Sequence, residues 1–145
     1  MSDADVALVR SLQPPPGTDI AALFNDPAMW AAFVENAPAV FVDGFECAGI
    51  GAPQGDLEDT GFDGLRRLWN EWLSPWVSYY DTIEDVIGNG EKVMVLIHDR
   101  AVSRHSGAEV DLRGASVWTM RDGLIARVEF HTDRATARAS FESSS

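Results

Sequence analysis

The stretch "TGFDGLRRLWNEWLSPW" limits what this chain can fold into more than any other. Leu65, Leu68, Trp69, Trp72, Leu73 and Trp76 recur at three- and four-residue spacing, which puts them on one side of an α-helix. Arg66 and Arg67 fall on the solvated side. A helix with an apolar stripe this continuous has to lay it on a second layer of structure.

The residues after Pro75 supply that layer. The run from Val77 to Ile87 reads as a strand, and "GNGEKV" is a hairpin signal because Gly and Asn accept the positive φ that tight turns need. "KVMVLIHDRAVSR", "VDLRGASVWTM" and "LIARVEFHT" then complete a meander, separated by turns at "HSGAE" and "RDG". The last residues, "DRATARASFESSS", read as a short helix fading into a polar tail at 141–145.

Upstream, "MSDADVALVRSLQPPPG" predicts a short helix halted by Pro14, Pro15, Pro16 and Gly17, an arm over residues 1–17. "TDIAALFNDPAMWAAFVENA" predicts two helices broken at Asn25-Asp26-Pro27. Thr18 or Asp19 would cap the first, and Pro27 would open the second. "AVFVDGFEC" predicts a short strand, and "AGIGAPQG" a loop after it. Helices segregated from hairpin-linked strands define an α+β domain over residues 18–140, in which helices cover one face of a curved antiparallel sheet.

At 145 residues and 46% hydrophobic content the chain suits one core. A formal net charge of −12 argues against nucleic acid and against an anionic membrane surface as partners. Cys47 is the single cysteine, so neither an intramolecular disulfide nor a Cys/His zinc cluster can be assembled, and no metal is expected. The opening residues carry early acids without a basic region and apolar run, and no stretch approaches the ~20 apolar residues of a membrane span. A cytoplasmic protein is the expectation.

The layout resembles a known family at two places. These are Trp118, Asp122, Gly123 and Ile125 in "VWTMRDGLIARVEFHTDRATA", and Ser106, Gly107, Glu109 and Val110 in "SGAEV". The chain resembles the SnoaL-like branch of the nuclear transport factor 2-like superfamily, the cone-shaped, cystatin-like fold of ketosteroid isomerase, limonene epoxide hydrolase and polyketide cyclases. The resemblance implies a deep, mostly apolar pocket for a small hydrophobic ligand, no cofactor, and a homodimer through the outer sheet face. It does not imply one reaction: such folds host enzymes of the isomerase, cyclase or lyase type, carriers and protein-interaction modules.

Catalytic relatives keep a base, typically Asp, on the last strand five residues after the Ile of the turn, and here that position is Phe130. Strand alternation then turns Val128 and Phe130 inward and Arg127, Glu129 and His131 outward. Two carboxylates remain as candidate bases: Glu46 on the first strand, where isomerase-like relatives carry one, and Asp99, near the position of the epoxide hydrolase Arg-x-Asp pair. Burial of either would raise its pKa toward a useful range. The alternative for Asp99 is a surface ion pair with a neighbouring Arg, and for Glu46 an outward-facing side chain. Trp30, Trp72, Trp76, Tyr80, Ser116, Trp118 and Phe130 are the candidate pocket residues. The Trp residues fill a core as readily as they line a cavity. Tyr80 and Trp118 are candidate hydrogen-bond donors to a ligand oxygen. Ser116 lacks the neighbouring base a nucleophile needs.

Overall fold

Acid side chains cap the second and third helices. In the computed structural model, which describes residues 2–52 and 54–143, helix α1 spans Ser2–Ser11, α2 Ile20–Asn25 and α3 Pro27–Asn36. Met1 of the expected arm and Ser144 and Ser145 of the expected tail lie outside the described residues. Asp19 caps α2 by accepting from the Ala21 N–H at 3.0 Å, and the same oxygen accepts from the Tyr79 N–H at 3.0 Å. One carboxylate thus starts a helix and pins it to a strand. Asp26 ends α2, caps α3 through the N–H of Ala28, and is followed by Pro27 at the first helical position.

Strand β1 (Phe41–Ile50) and the four-residue β2 (Leu57–Thr60) lead into α4 (Gly61–Leu73). The meander is β3 (Trp76–Asn89), β4 (Lys92–Ser103), β5 (Glu109–Arg121) and β6 (Leu124–His131), closed by α5 (Arg134–Glu142). The β5–β6 turn places Asp122 at φ 53° and Gly123 at φ 79°. Two consecutive left-handed residues match the right-handed twist of the flanking strands, which is why Asp-Gly serves there. The sheet order is β2-β1-β6-β5-β4-β3.

The α+β architecture is the one expected, with a correction to the sheet. It is mixed, because β1 pairs with β6 in parallel while every other pairing is antiparallel. Three hairpin reversals carry the chain from β3 to β6, and the crossover through β2 and α4 leaves β1 pointing the same way as β6. "AGI" continues β1 to Ile50 instead of opening a loop, and β2 was not foreseen.

Two apolar layers sandwich the curved sheet. Val93, Val95 and Ile97 of β4 join Val9 of α1, Phe24 of α2, Trp30 of α3 and the Leu65, Leu68, Trp69, Trp72 and Leu73 stripe of α4. Each large apolar side chain buried there contributes roughly 1.5–3 kcal/mol relative to exposure. Met94 and Val117 face the other way, against Ala137 and Phe141 of α5. Alternation along β4 and β5 therefore sorts residues between helical layers on both faces. Helix α1, within the segment read as an arm, packs on β3 and β4 with Val9 fully buried.

Candidate functional site

Pairing of β3 with β4 sets Asp81 directly opposite Asp99. Two like charges at such a position repel across the strands, so a stable sheet requires that they share a proton or a counter-charge. Here they share a hydrogen bond. Burial holds the Asp81 carboxyl well above its ordinary range, and the hydrogen bond and charge of Asp99 push it the same way. Burial also raises Asp99, against the opposing hydrogen bonds from Asp81 and Tyr79. Of the two, Asp81 is the more strongly raised.

Asp99 is 7% exposed. Its Oδ2 accepts from the Tyr79 hydroxyl at 3.0 Å, and the Tyr79 oxygen accepts from the Trp72 indole N–H at 3.2 Å. Burial and the Asp99 charge raise the Tyr79 pKa well above normal, so it remains a phenol and keeps its proton to donate. No nitrogen or hydroxyl donor reaches Asp99 Oδ1.

These groups sit at one wall of a cavity of about 440 Å³ between the sheet and helices α2, α3 and α4. Its lining is mostly apolar and rich in aromatic rings, among them Phe24, Trp30, Trp69, Trp72, Trp118 and Phe130. Phe130 meets Trp69 edge-on with ring centroids 4.7 Å apart, and Phe24 stacks on Trp69 at 5.3 Å. Residues Leu12 to Pro15, after α1, complete one side. Asp81 also borders a second cavity of about 300 Å³ on the far side of that segment, with Arg10, Pro16 and Thr82.

Of the residues expected at the site, the fold brings Asp99, Trp30, Trp72, Trp118 and Phe130 to the main cavity. It leaves four others out. Glu46 points to solvent, its side chain 61% exposed and paired with Arg127 at 2.9 Å, because a bulge between Phe41 and Glu46 shifts the β1 register. Tyr80 is 41% exposed on the opposite face, and its neighbour Tyr79 takes the inward position. Trp76 packs behind Tyr79 at 6.2 Å and does not reach the cavity. Ser116 is fully buried and accepts from the Trp118 indole N–H at 2.8 Å, outside the lining. Sequence reasoning missed Asp81 and Tyr79, although "YYDTI" places Tyr79, Asp81 and Ile83 at strand alternation.

Glu129 and His131 face α5. The His131 ring nitrogens lie 2.8 Å from Glu129 Oε1 and 2.9 Å from Thr136 Oγ1, and Ser140 donates to the same Glu129 oxygen at 2.8 Å. His131 borders the main cavity as well, but its imidazole is engaged on the helix side. Burial opposes ionisation of Glu129, yet the hydrogen bonds from His131, Ser140 and Arg127 prevail and hold its pKa at about 2. Among the described residues no group of three or more His, Cys, Asp or Glu is placed to hold a metal ion. None of their helices is long and apolar enough to cross a membrane.

A curved sheet of this order covered by helices is the architecture of the nuclear transport factor 2-like class. Within it, the chain belongs to the SnoaL-like domain family, whose model matches residues 20–128. Solved structures agree on the fold. One, provisionally described as a SnoaL-like polyketide cyclase from Jannaschia sp. CCS1, is 15% identical with a TM-score of 0.61, over 99% of this chain and 95% of that one. A nuclear transport factor 2-like protein of unknown function from Burkholderia pseudomallei K96243 is 16% identical with a TM-score of 0.64, over 99% and 100% of the two chains. TerC, co-crystallised with polyporic acid, is 20% identical with a TM-score of 0.57, over 79% of this chain and 92% of its own. A search of curated proteins finds no match.

Proposed function

We propose that this SnoaL-like domain binds a small hydrophobic molecule in the aromatic cavity and moves a proton on it, as a cofactor-free isomerase, cyclase or lyase does. The observation that carries this is the Asp81–Asp99 pair, two carboxyls that face each other across strands and are held above their ordinary range by burial at the wall of an apolar cavity. Asp99, anionic and oriented by Tyr79, takes a proton from a carbon next to a carbonyl. Asp81 gives its proton to the carbonyl oxygen, so the ligand passes through a neutral enol; Asp81 then takes the hydroxyl proton back while Asp99 delivers its proton to another carbon of the conjugated enol, which completes the turnover. Tyr79 is a positioning residue, since its hydroxyl is spent on Asp99.

Phe130, carbon where catalytic relatives carry a base, favours a second reading, a ligand carrier or interaction module of the same fold. Deuterium exchange separates them. With tetralone in deuterium oxide, the enzyme reading expects exchange at the position beside the carbonyl well above buffer, falling by about 100-fold or more in Asp99→Asn. Tetralone that binds without exchanging would leave the carrier. Assembly as a homodimer through the outer sheet face is part of the proposal, and a monomer mass by light scattering at micromolar concentration would remove it.

A further inference from the structure

Apolar packing, not hydrogen bonding, holds residues 3–16 to the rest of the protein. Outside the helix ladder, Ser11 Oγ donates to the Leu8 carbonyl, Gln13 Nε2 and the Leu12 amide to that of Val9, and the Gln13 amide to that of Arg10. The Thr18 amide donates to the Pro15 carbonyl, and among the described residues no hydrogen bond of the segment reaches further. None of the ion pairs among those residues includes Asp3, Asp5 or Arg10. What seats α1 is the fully buried Val9, with Val6, Leu8 and Leu12 packed on the main core.

The chain changes character at Asp19. Its carboxylate takes the Tyr79 N–H, and its backbone bridges Tyr80 in antiparallel pairing with β3, an edge strand. Continued upstream, that pairing would run along Asp81, Thr82 and Ile83, and Pro14, Pro15 and Pro16 do border these residues. Proline has no N–H to give to a ladder, so the stretch cannot zip onto the edge, and the cavity of about 300 Å³ lies there instead. Consecutive prolines also make a stiff lever. Gly17, at φ 85° with no atom within 4 Å of where a Cβ would stand, supplies a joint at its end.

We propose that α1 and the proline stretch form a hinged cover of the aromatic cavity, released as one unit about Gly17 to admit ligand. Leu12, Gln13, Pro14 and Pro15 belong to the cavity wall, so their departure opens it. The proposal rests on the reading of that cavity as a ligand site and adds its entrance. A unit without external hydrogen bonds opens at lower free energy than the strands and helices bonded around it.

Two measurements test it: native-state amide exchange, and stopped-flow quenching of tryptophan fluorescence by tetralone. Amides of residues 6–13 should exchange together, faster than those of α4 and β4, and slow when tetralone is bound. Val9→Ala loosens the seat without altering the cavity, since Val9 is not in its lining. Tetralone should associate about fivefold or more faster with that variant than with wild type. Val117→Ala, in the apolar layer on the other face of the sheet, should leave the rate within about twofold. An unchanged rate in Val9→Ala, or an equal acceleration in Val117→Ala, overturns the cover while tetralone binding keeps the cavity as a ligand site. Protection of the α1 amides equal to that of α4 overturns it too. Absence of tetralone binding to wild type, read by calorimetry, overturns both readings. The wild-type exchange profile decides the matter even where Val9→Ala does not fold.

Discussion

The Tyr79 hydroxyl and Asp99 Oδ2 lie 3.0 Å apart, on adjacent strands and two residues out of register, in a part of the sheet that water barely reaches. Tyr79 is 3% exposed, and its oxygen also takes the Trp72 N–H, so one phenol links helix α4 to strand β4. Tyr79→Phe leaves Trp72 without its acceptor and Asp99 with Asp81 as its remaining donor. Urea unfolding should show a loss of about 1–3 kcal/mol, the range for stranding buried polar groups. The Asp99 carboxyl should also titrate higher in an NMR pH series, since the Tyr79 hydrogen bond lowers it. A variant as stable as wild type would show that this link contributes nothing to the fold.

Asp81 and Asp99 both have folded-state pKa values above the ordinary aspartate value. A group raised on folding contributes stability that is complete below its unfolded pKa and is lost as pH rises through the folded one. Asp81→Asn keeps the donated hydrogen bond and removes the titration. It should therefore become progressively more stable than wild type as pH increases, and the two should converge below the unfolded value of 3.8. Thermal unfolding across pH reads this directly; a difference that grows toward acid would contradict the shared-proton assignment.

Glu129 behaves in the opposite sense. Its pKa falls from 4.5 to about 2, so its stabilisation is present above 4.5 and is lost as pH falls toward 2. The shift corresponds to at most about 3 kcal/mol, less after solvent screening. Glu129→Gln should weaken the seat of α5 at neutral pH, and the gap from wild type should shrink by pH 2. Acid titration of the helical circular dichroism signal would show it. A gap that stays constant with pH would mean that packing, not charge, holds Glu129.

Gly114 of β5 has no room for a side chain. A Cβ built there runs into the carbonyl oxygen of His131, which is backbone and cannot swing aside. Gly114→Ala should push β5 from β6 at the end where the cavity lies, and cost about 1–3 kcal/mol in denaturant unfolding. Unchanged stability would show that the strand ends yield freely.

Strand interiors were legible in the sequence, and strand beginnings were not. On β5 and β6 alternation sorts Trp118 and Phe130 inward and Arg127 and Glu129 outward, as the residues imply, whereas β4, apolar on both faces, left the side of Asp99 open. The misplacements fall where alternation is broken. A bulge after Phe41 turns Glu46 to solvent, and another between Trp76 and Ser78 decides that Tyr79, not Tyr80, faces the cavity. A bulge inserts a residue without an unambiguous sequence signal, so parity counted from the strand's start fails beyond it. β2, "LEDT", was too short and too polar to show a period. The carboxyl pair was half visible: Asp99 was a candidate base through the family resemblance, whereas Asp81 sits in an edge strand where acids are ordinary.

Asp81 stands where two cavities meet, the aromatic one and the smaller one beside Arg10, Pro16 and Thr82. Gln13, Pro14 and Pro15 border both and form the partition between them. A ligand filling the aromatic side would not seal the acid from bulk water, because the other side remains a separate doorway. The proline-rich stretch that reads in the sequence as a mere stop to a helix is, in the folded protein, the wall between two cavities that meet at one acid.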